Sequence, residues 1–62
     1  MNTLTLKHNK NIYSLIQKNN IFLLKITKNN KVSTEELEIK NVFDRMNLIE
    51  KETGEKFKFI KL

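Results

Sequence analysis

Short polar segments built around asparagine interrupt the first half of the chain about every ten residues. They are centred on Asn9–Lys10, Asn19–Asn20 and Asn29–Asn30. Asparagine tolerates the left-handed backbone conformation that tight turns require. The stretches between these segments alternate apolar and polar residues, which is typical of β-strands. The spacing therefore predicts an antiparallel meander of three strands, over Thr3–Lys7, Ile12–Gln17 and Ile21–Thr27.

The apolar positions of the three strands specify one pairing register. If Lys7 lies opposite Ile12 and Lys18 lies opposite Ile21, every large apolar pair falls on the same side of the sheet. A slip of one residue would move those side chains to the other face, so the pattern itself favours this register. The predicted core face carries Leu4, Leu6, Tyr13, Leu15, Phe22, Leu24 and Ile26.

A helix is predicted after the meander. Ser33 and Glu36 have the spacing of a capping box, and acidic residues suit the start of a helix. An apolar stripe follows at helical spacing, and Gly54 provides a stop. A fourth strand after Asn30 is disfavoured because it would set Glu35 against Leu24 on the core face. A later helix start, near Asn41, is left open as an alternative. The stripe consists of Ile39, Val42, Phe43, Met46 and Ile49.

A last strand is predicted over Lys56–Leu62, with Phe57 and Phe59 on one side. Its place in the sheet is left open. Residues 1–62 are thus expected to form a single small α+β domain in the order βββαβ, in which a three-stranded antiparallel meander packs against one amphipathic helix.

The size and composition of the chain exclude several classes of protein. A domain of 62 residues buries roughly 60% of the surface of its unfolded chain, and its stability is expected to be about 3–5 kcal/mol. The absence of cysteine excludes disulfide and cysteine–metal frameworks, and a single glycine excludes Gly-rich nucleotide loops. The longest apolar run, Ile21–Leu24, is far shorter than the roughly 20 residues of a membrane span. With no signal peptide in the sequence, we expect a cytoplasmic protein.

Few residues could carry catalysis or bind a metal ion. His8 is the only histidine, and the acids Glu35, Glu36 and Glu38 are explained by a helix start. No motif brings His8 together with Ser14 as base and nucleophile. We therefore expect no catalytic residue, no metal site, no cofactor and no enzymatic activity.

The charge of the chain is unevenly distributed along the sequence. The net charge is +5, and all seven acids lie between positions 35 and 55. A basic sheet can bind phosphates, so nucleic-acid binding is one hypothesis. Arg45 is the only arginine and the outer sheet face lacks aromatic residues, which argues against base readout. A Lys/Asn/Ile-rich composition also arises in AT-rich genomes, so codon bias is an alternative cause of the basic charge. The lysines concerned are Lys7, Lys10, Lys18, Lys25, Lys28 and Lys31.

The favoured hypothesis is a non-enzymatic binding protein. Apolar side chains on the outer sheet face and on the outer face of the helix indicate surfaces for a partner. A short, basic chain without a catalytic signature is typical of small phage and mobile-element proteins that inhibit or redirect a host protein or nucleoprotein complex. An anti-defence inhibitor of a nuclease effector is one example, and an unpaired sheet edge also allows a homodimer. The predicted partner-binding residues are Ile12, Ile16, Leu23, Lys25, Asp44, Arg45 and Leu48.

Overall fold

The computed structural model describes residues 3–60 as a five-stranded antiparallel sheet with one helix on one of its faces. The spatial order of the strands is β4-β3-β2-β1-β5, so β4 and β5 are the two edges. The helix leaves one edge strand and leads to the other, and it therefore crosses the sheet. The elements are β1 (Thr3–His8), β2 (Asn11–Lys18), β3 (Ile21–Lys28), β4 (Lys31–Glu38), α1 (Ile39–Thr53) and β5 (Lys58–Ile60).

The asparagine-rich segments form the turns between the first four strands, as predicted. Asn9, Asn19, Asn29 and Asn30 all have positive φ angles, between 51° and 64°. Asparagine enters this region more readily than most residues because its short polar side chain can form hydrogen bonds with the nearby backbone. Two consecutive positive φ values at Asn29 and Asn30 are typical of a type I′ hairpin turn, whose twist matches that of the strands.

The predicted register of the meander is confirmed. Lys7 lies opposite Ile12, and Lys18 lies opposite Ile21. The predicted apolar face is the one on which the helix packs, and we call it the helix face. The core contains Leu6, Tyr13, Leu15 and Leu24 from the sheet, with Val42 and Ile49 from the helix.

The chain forms a fourth strand where a helix was predicted, and the meander therefore has four strands instead of three. Glu35 indeed lies opposite Leu24, the pairing that argued against this strand. The helix resolves the conflict: Arg45 Nε donates to Glu35 Oε2 at 3.1 Å, and a second guanidinium nitrogen lies 3.4 Å from Oε1. A carboxylate is acceptable on the helix face because a cation from the helix meets it there.

The helix begins at Ile39, so the predicted capping box at Ser33 and Glu36 is wrong. The residue before the helix, Glu38, is extended and makes no side-chain capping bond within the described residues. The predicted stop is confirmed. Gly54 has a φ of 76°, and its N–H donates to the carbonyl of Glu50 at 2.8 Å, which closes the helix in the left-handed conformation that glycine favours.

Only part of the predicted helical stripe is buried. Val42 and Ile49 are in the core and Met46 packs against it, but Ile39 and Phe43 are 66% and 72% exposed. The contact between Arg45 and Glu35 turns the Arg45 side of the helix toward β4. Ile39 and Phe43 lie on the opposite flank and are carried away from the sheet.

The last strand pairs with β1 along three residues, which settles its place at the edge of the sheet. Phe57 packs against the core, and Phe59 lies opposite Leu4 on the same face. The Phe57 N–H donates to Glu50 Oε2 at 2.9 Å and fixes the connection to the end of the helix. Lys56 and Phe57, which were predicted as part of this strand, precede it as irregular chain, and residues 61–62 lie outside the described residues. Over residues 3–60, no helix is long and apolar enough to cross a membrane.

Candidate docking surfaces

The face of the sheet opposite the helix, which we call the outer face, is not covered by any element of residues 3–60. The last strand could have covered it, but β5 lies beside β1 in the plane of the sheet. Ile16 lies directly opposite Leu23, and both are half-buried. Ile12 is 38% exposed and Val32 is 57% exposed on the same face. These four side chains, which we call the aliphatic strip, lie in two rows: Ile16 is beside Leu23, and Ile12 and Val32 flank Thr27. The polar row of Ser14, Lys25 and Thr34 lies between the two rows.

Lysines lie both within and around this strip. Lys25 is exposed in the middle of the outer face, between Ser14 and Thr34 of the neighbouring strands. Lys7 and Lys18 share the same face by strand alternation. Among the strand residues that the structure describes, acidic side chains appear on this face only on β4, where Glu36 lies opposite Leu23. An apolar strip with a basic rim is suited to a partner that carries an acidic rim.

The structure does not bring all the predicted helix residues to one surface. Asp44 and Leu48 are exposed on the helix, with Leu48 at 48%. Arg45 is separate from them because its guanidinium reaches toward Glu35, where 30% of its side chain stays exposed. The sequence suggested a joint outer patch, but Arg45 belongs to the junction between helix and sheet.

A second apolar surface lies on the helix face and was missed from the sequence. Phe59 is 70% exposed beside a cavity of about 200 Å³ that is also lined by Leu4, Leu15, Gln17 and Phe22. The aromatic spacing put Phe59 on the same side as Phe57, and Phe57 packs against the core. The exposure of Phe59 depends on how far the helix reaches over β5, which no local pattern reveals.

The exposed helix residues Ile39 and Phe43 lie on one flank of the helix. They are four residues apart and share a flank with Glu50, whose carboxylate accepts from the Phe57 N–H next to β5.

The lysines of the nucleic-acid hypothesis are only partly brought together. The turns that contain Lys10 and separate Lys28 from Lys31 lie at the same end of the sheet, and Lys7 lies near that end. Lys28 Nζ is 5.8 Å from the centroid of the Tyr13 ring, a cation–π distance. The two remaining lysines are elsewhere: Lys18 precedes the turn at the opposite end, and Lys25 lies in the middle of the outer face.

The edge strand β4 is the candidate for a sheet-edge homodimer. It is eight residues long, and most of its side chains are exposed. Its second half carries three acids, Glu35, Glu36 and Glu38. Charged side chains on an edge are a common protection against pairing with another chain. Pairing through this edge stays a prediction.

The residues considered for catalysis and metal binding do not converge. By strand alternation His8 is on the helix face, whereas Ser14 lies opposite Thr5 on the outer face. Glu35 and Glu36 likewise point to opposite faces. Within residues 3–60 no group of three or more histidine, aspartate or glutamate side chains could hold a metal ion. Comparison of the chain with protein families, curated proteins and solved structures finds no match.

Proposed function

We propose that this chain is a small non-enzymatic binding protein that docks through the outer face of its sheet on a larger host protein or nucleoprotein and inhibits or redirects it. The observation that supports this proposal is the aliphatic strip of Ile12, Ile16, Leu23 and Val32, which nothing in residues 3–60 covers. Blocking a nuclease effector of host defence is one concrete form of such a role.

The aliphatic side chains and the lysines among them would contribute differently to a complex. Apolar side chains at the centre of an interface supply most of the affinity once water is excluded around them. The central Lys25 would instead speed encounter with an acidic partner and select against basic ones. A rigid sheet presents these side chains with little ordering on binding, which lowers the entropic cost of association.

The test is a pull-down from host-cell lysate with the tagged protein and three variants. Leu23→Asp places a charge in the strip, and Lys25→Glu reverses the charge of an exposed side chain with little risk to folding. We expect both to lose a partner that the unmodified chain retains through nuclease treatment and high salt. Phe43→Asp, the same kind of change on the helix, is the matched control and should retain that partner.

Circular dichroism spectra decide whether a variant is folded before its binding is interpreted. If folded Leu23→Asp and Lys25→Glu retain the partner, the outer face is not the docking surface and the proposal is wrong. Loss of the partner in Phe43→Asp alone would assign docking to the helix face instead.

A second candidate is nucleic-acid binding by the end of the sheet where Lys7, Lys10, Lys28 and Lys31 gather. Its support is that topology, because four lysines at one end could neutralise several phosphates. In the same pull-down, material that disappears after nuclease treatment and with rising salt would favour this reading. Partner retention under both conditions would argue against it.

A further inference from the structure

The free edge of β4 is a long backbone edge that no element of residues 3–60 covers. β4 is eight residues long, pairs with β3 on one side only and has mostly exposed side chains. The helix leaves the end of β4 and crosses the sheet toward β5, so it does not run along this edge. A long open edge presents a row of unpaired N–H and C=O groups to which another strand can be added.

The turn before β4 determines which of its backbone groups point outward. In a hydrogen-bonded β-turn the first carbonyl accepts from the fourth N–H, which makes Lys28 and Lys31 a bonded pair. Bonded and non-bonded pairs then alternate along the antiparallel ladder. The residues of β4 that direct both backbone groups away from β3 are therefore Val32, Thr34, Glu36 and Glu38.

The acids of β4 protect this edge less than their number suggests, because the helix places a cation beside two of them. Arg45 Nε is 3.1 Å from Glu35 Oε2, and Lys40 Nζ is 3.5 Å from Glu38 Oε2. Of the three β4 acids, Glu36 is the one without an ion pair to the residues that the structure describes. Repulsion between two copies of this edge is reduced accordingly.

The side chains of β4 are self-complementary in one antiparallel register. A two-fold axis through Thr34 sets Thr34 opposite its own copy and Ser33 opposite Glu35 of the second copy, where a hydroxyl can donate to a carboxylate. Lys31 is then diagonal to that same Glu35, within reach of its long side chain. An axis through Glu35 would instead set two carboxylates directly opposite each other, which is destabilising.

We propose that a second copy of this chain pairs with the β4 edge, antiparallel and with Thr34 on the two-fold axis, so that the two sheets become one continuous sheet. The outward backbone groups match in this register, because Val32 lies opposite Glu36 of the second copy and Thr34 lies opposite Thr34. The two helices start at opposite ends of the seam and cross away from it, so neither covers it.

The dimer does not depend on the docking function proposed above. A two-fold axis perpendicular to the sheet keeps each face on its own side, so the two outer faces would lie side by side. A single strand edge is smaller than the roughly 1,200–2,000 Å² that stable interfaces bury, so we expect a weak dimer.

The test is sedimentation equilibrium at physiological salt, which screens the repulsion between two chains of net charge +5. We expect the unmodified chain to change from monomer to dimer between roughly 10 μM and 1 mM, as weak interfaces do. Amide hydrogen exchange gives a readout at single residues. Exchange at Val32, Thr34 and Glu36 should slow as the concentration rises, whereas the Ser33 amide already bonds to β3.

Thr34→Pro tests the backbone pairing. Proline is tolerated on edge strands where the missing N–H would face solvent, and its loss at the two-fold axis should abolish the dimer. Thr34→Val keeps the N–H and is the matched control, which should dimerise within about threefold of the unmodified chain.

Lys31→Glu tests the register through its charges. It replaces two attractive diagonal contacts with two repulsive ones, so dimerisation should be at least about tenfold weaker. Lys10→Glu makes the same change of charge in the β1–β2 turn, away from β4, and should change dimerisation by less than about threefold.

Circular dichroism spectra establish that each variant is folded. A chain that stays monomeric at about 1 mM, or folded Thr34→Pro and Lys31→Glu variants that dimerise like the unmodified chain, would overturn the proposal. If the chain stays monomeric but Thr34→Pro loses a partner captured from host lysate, the edge accepts a strand of another protein and not a second copy.

Discussion

At the scale of single residues, the pairing of Glu35 with Arg45 decides how the sheet and helix meet. The only arginine of the chain contacts the one acid that the strand pattern places on the helix face. Both side chains stay partly exposed, so the pair is neither a buried ion pair nor a free surface contact. Two nitrogens of one guanidinium approach both oxygens of the carboxylate, and this forked geometry holds the helix at one rotation.

Breaking this pair should lower stability by a modest amount. We expect Glu35→Gln and Arg45→Gln each to reduce the free energy of unfolding by about 1 kcal/mol, because solvent screens a pair that is a third exposed. A double-mutant cycle followed by urea denaturation should give a coupling energy of about 0.5–1 kcal/mol. The matched control is Glu38→Gln, whose partner Lys40 is 75% exposed, and it should change stability by less than about 0.5 kcal/mol. Equal effects in both pairs would contradict a special role for Arg45.

At the scale of elements, the turns determine how the strands are joined. The β3–β4 turn requires positive φ at both Asn29 and Asn30, whereas Asn20 in the preceding turn is not among the residues with positive φ. Asn20 and Asn30, in adjacent turns, therefore adopt different backbone conformations. Glycine enters the left-handed region without steric cost, but it loses more chain entropy than asparagine elsewhere.

Asn30→Gly should therefore stabilise the fold, and Asn20→Gly should not. We expect Asn30→Gly to raise the free energy of unfolding by about 0.5 kcal/mol, because Asn-Gly is a preferred type I′ pair. Asn20→Gly should lower it by about 0.5–1 kcal/mol through greater unfolded-state entropy. Urea denaturation of both variants measures the difference. Destabilisation by Asn30→Gly would show that the asparagine side chain contributes more than its backbone conformation.

The same elements show which parts of the fold could be predicted from the sequence. The register of the first three strands was predictable because alternation and turn chemistry agree at every step. The fourth strand was not predictable in this way, because Ser33 and Glu36 within Lys31–Glu38 have the spacing of a helix capping box. The strand forms by pairing with β3. The Arg45 contact that accommodates Glu35 on the helix face comes from ten residues further along the chain and leaves no local signal.

At the scale of the whole molecule, some candidate surfaces could be predicted from the sequence and others could not. Ile12, Ile16 and Leu23 could be placed together because they depend only on strand alternation and register. The exposure of Phe43 and Phe59 depends on the rotation of the helix and the position of β5. Those are long-range properties of packing, so the sequence put Phe43 in the stripe expected to cover the sheet and gave no sign that Phe59 is exposed.

Because the core is small, substitutions at buried and at exposed apolar residues should differ clearly in their effect on stability. A chain of this size has only about 3–5 kcal/mol of stability, so removing one fully buried side chain should nearly unfold it. We expect Ile49→Ala, at a residue that is 1% exposed, to lose about 2–5 kcal/mol and to be mostly unfolded at 37 °C. Phe43→Ala removes a larger side chain from the same helix, yet it should change stability by less than about 0.5 kcal/mol because 72% of Phe43 is already in water.

Thermal and urea unfolding, followed by circular dichroism, distinguish these outcomes. Both substitutions introduce alanine into one helix, so helix propensity favours each variant and cannot explain a loss. A folded Phe43→Ala beside an unfolded Ile49→Ala would show that the fold does not need this aromatic side chain. If Phe43→Ala is as destabilising as Ile49→Ala, Phe43 packs against the chain, and the apolar surface on the helix face is part of the core.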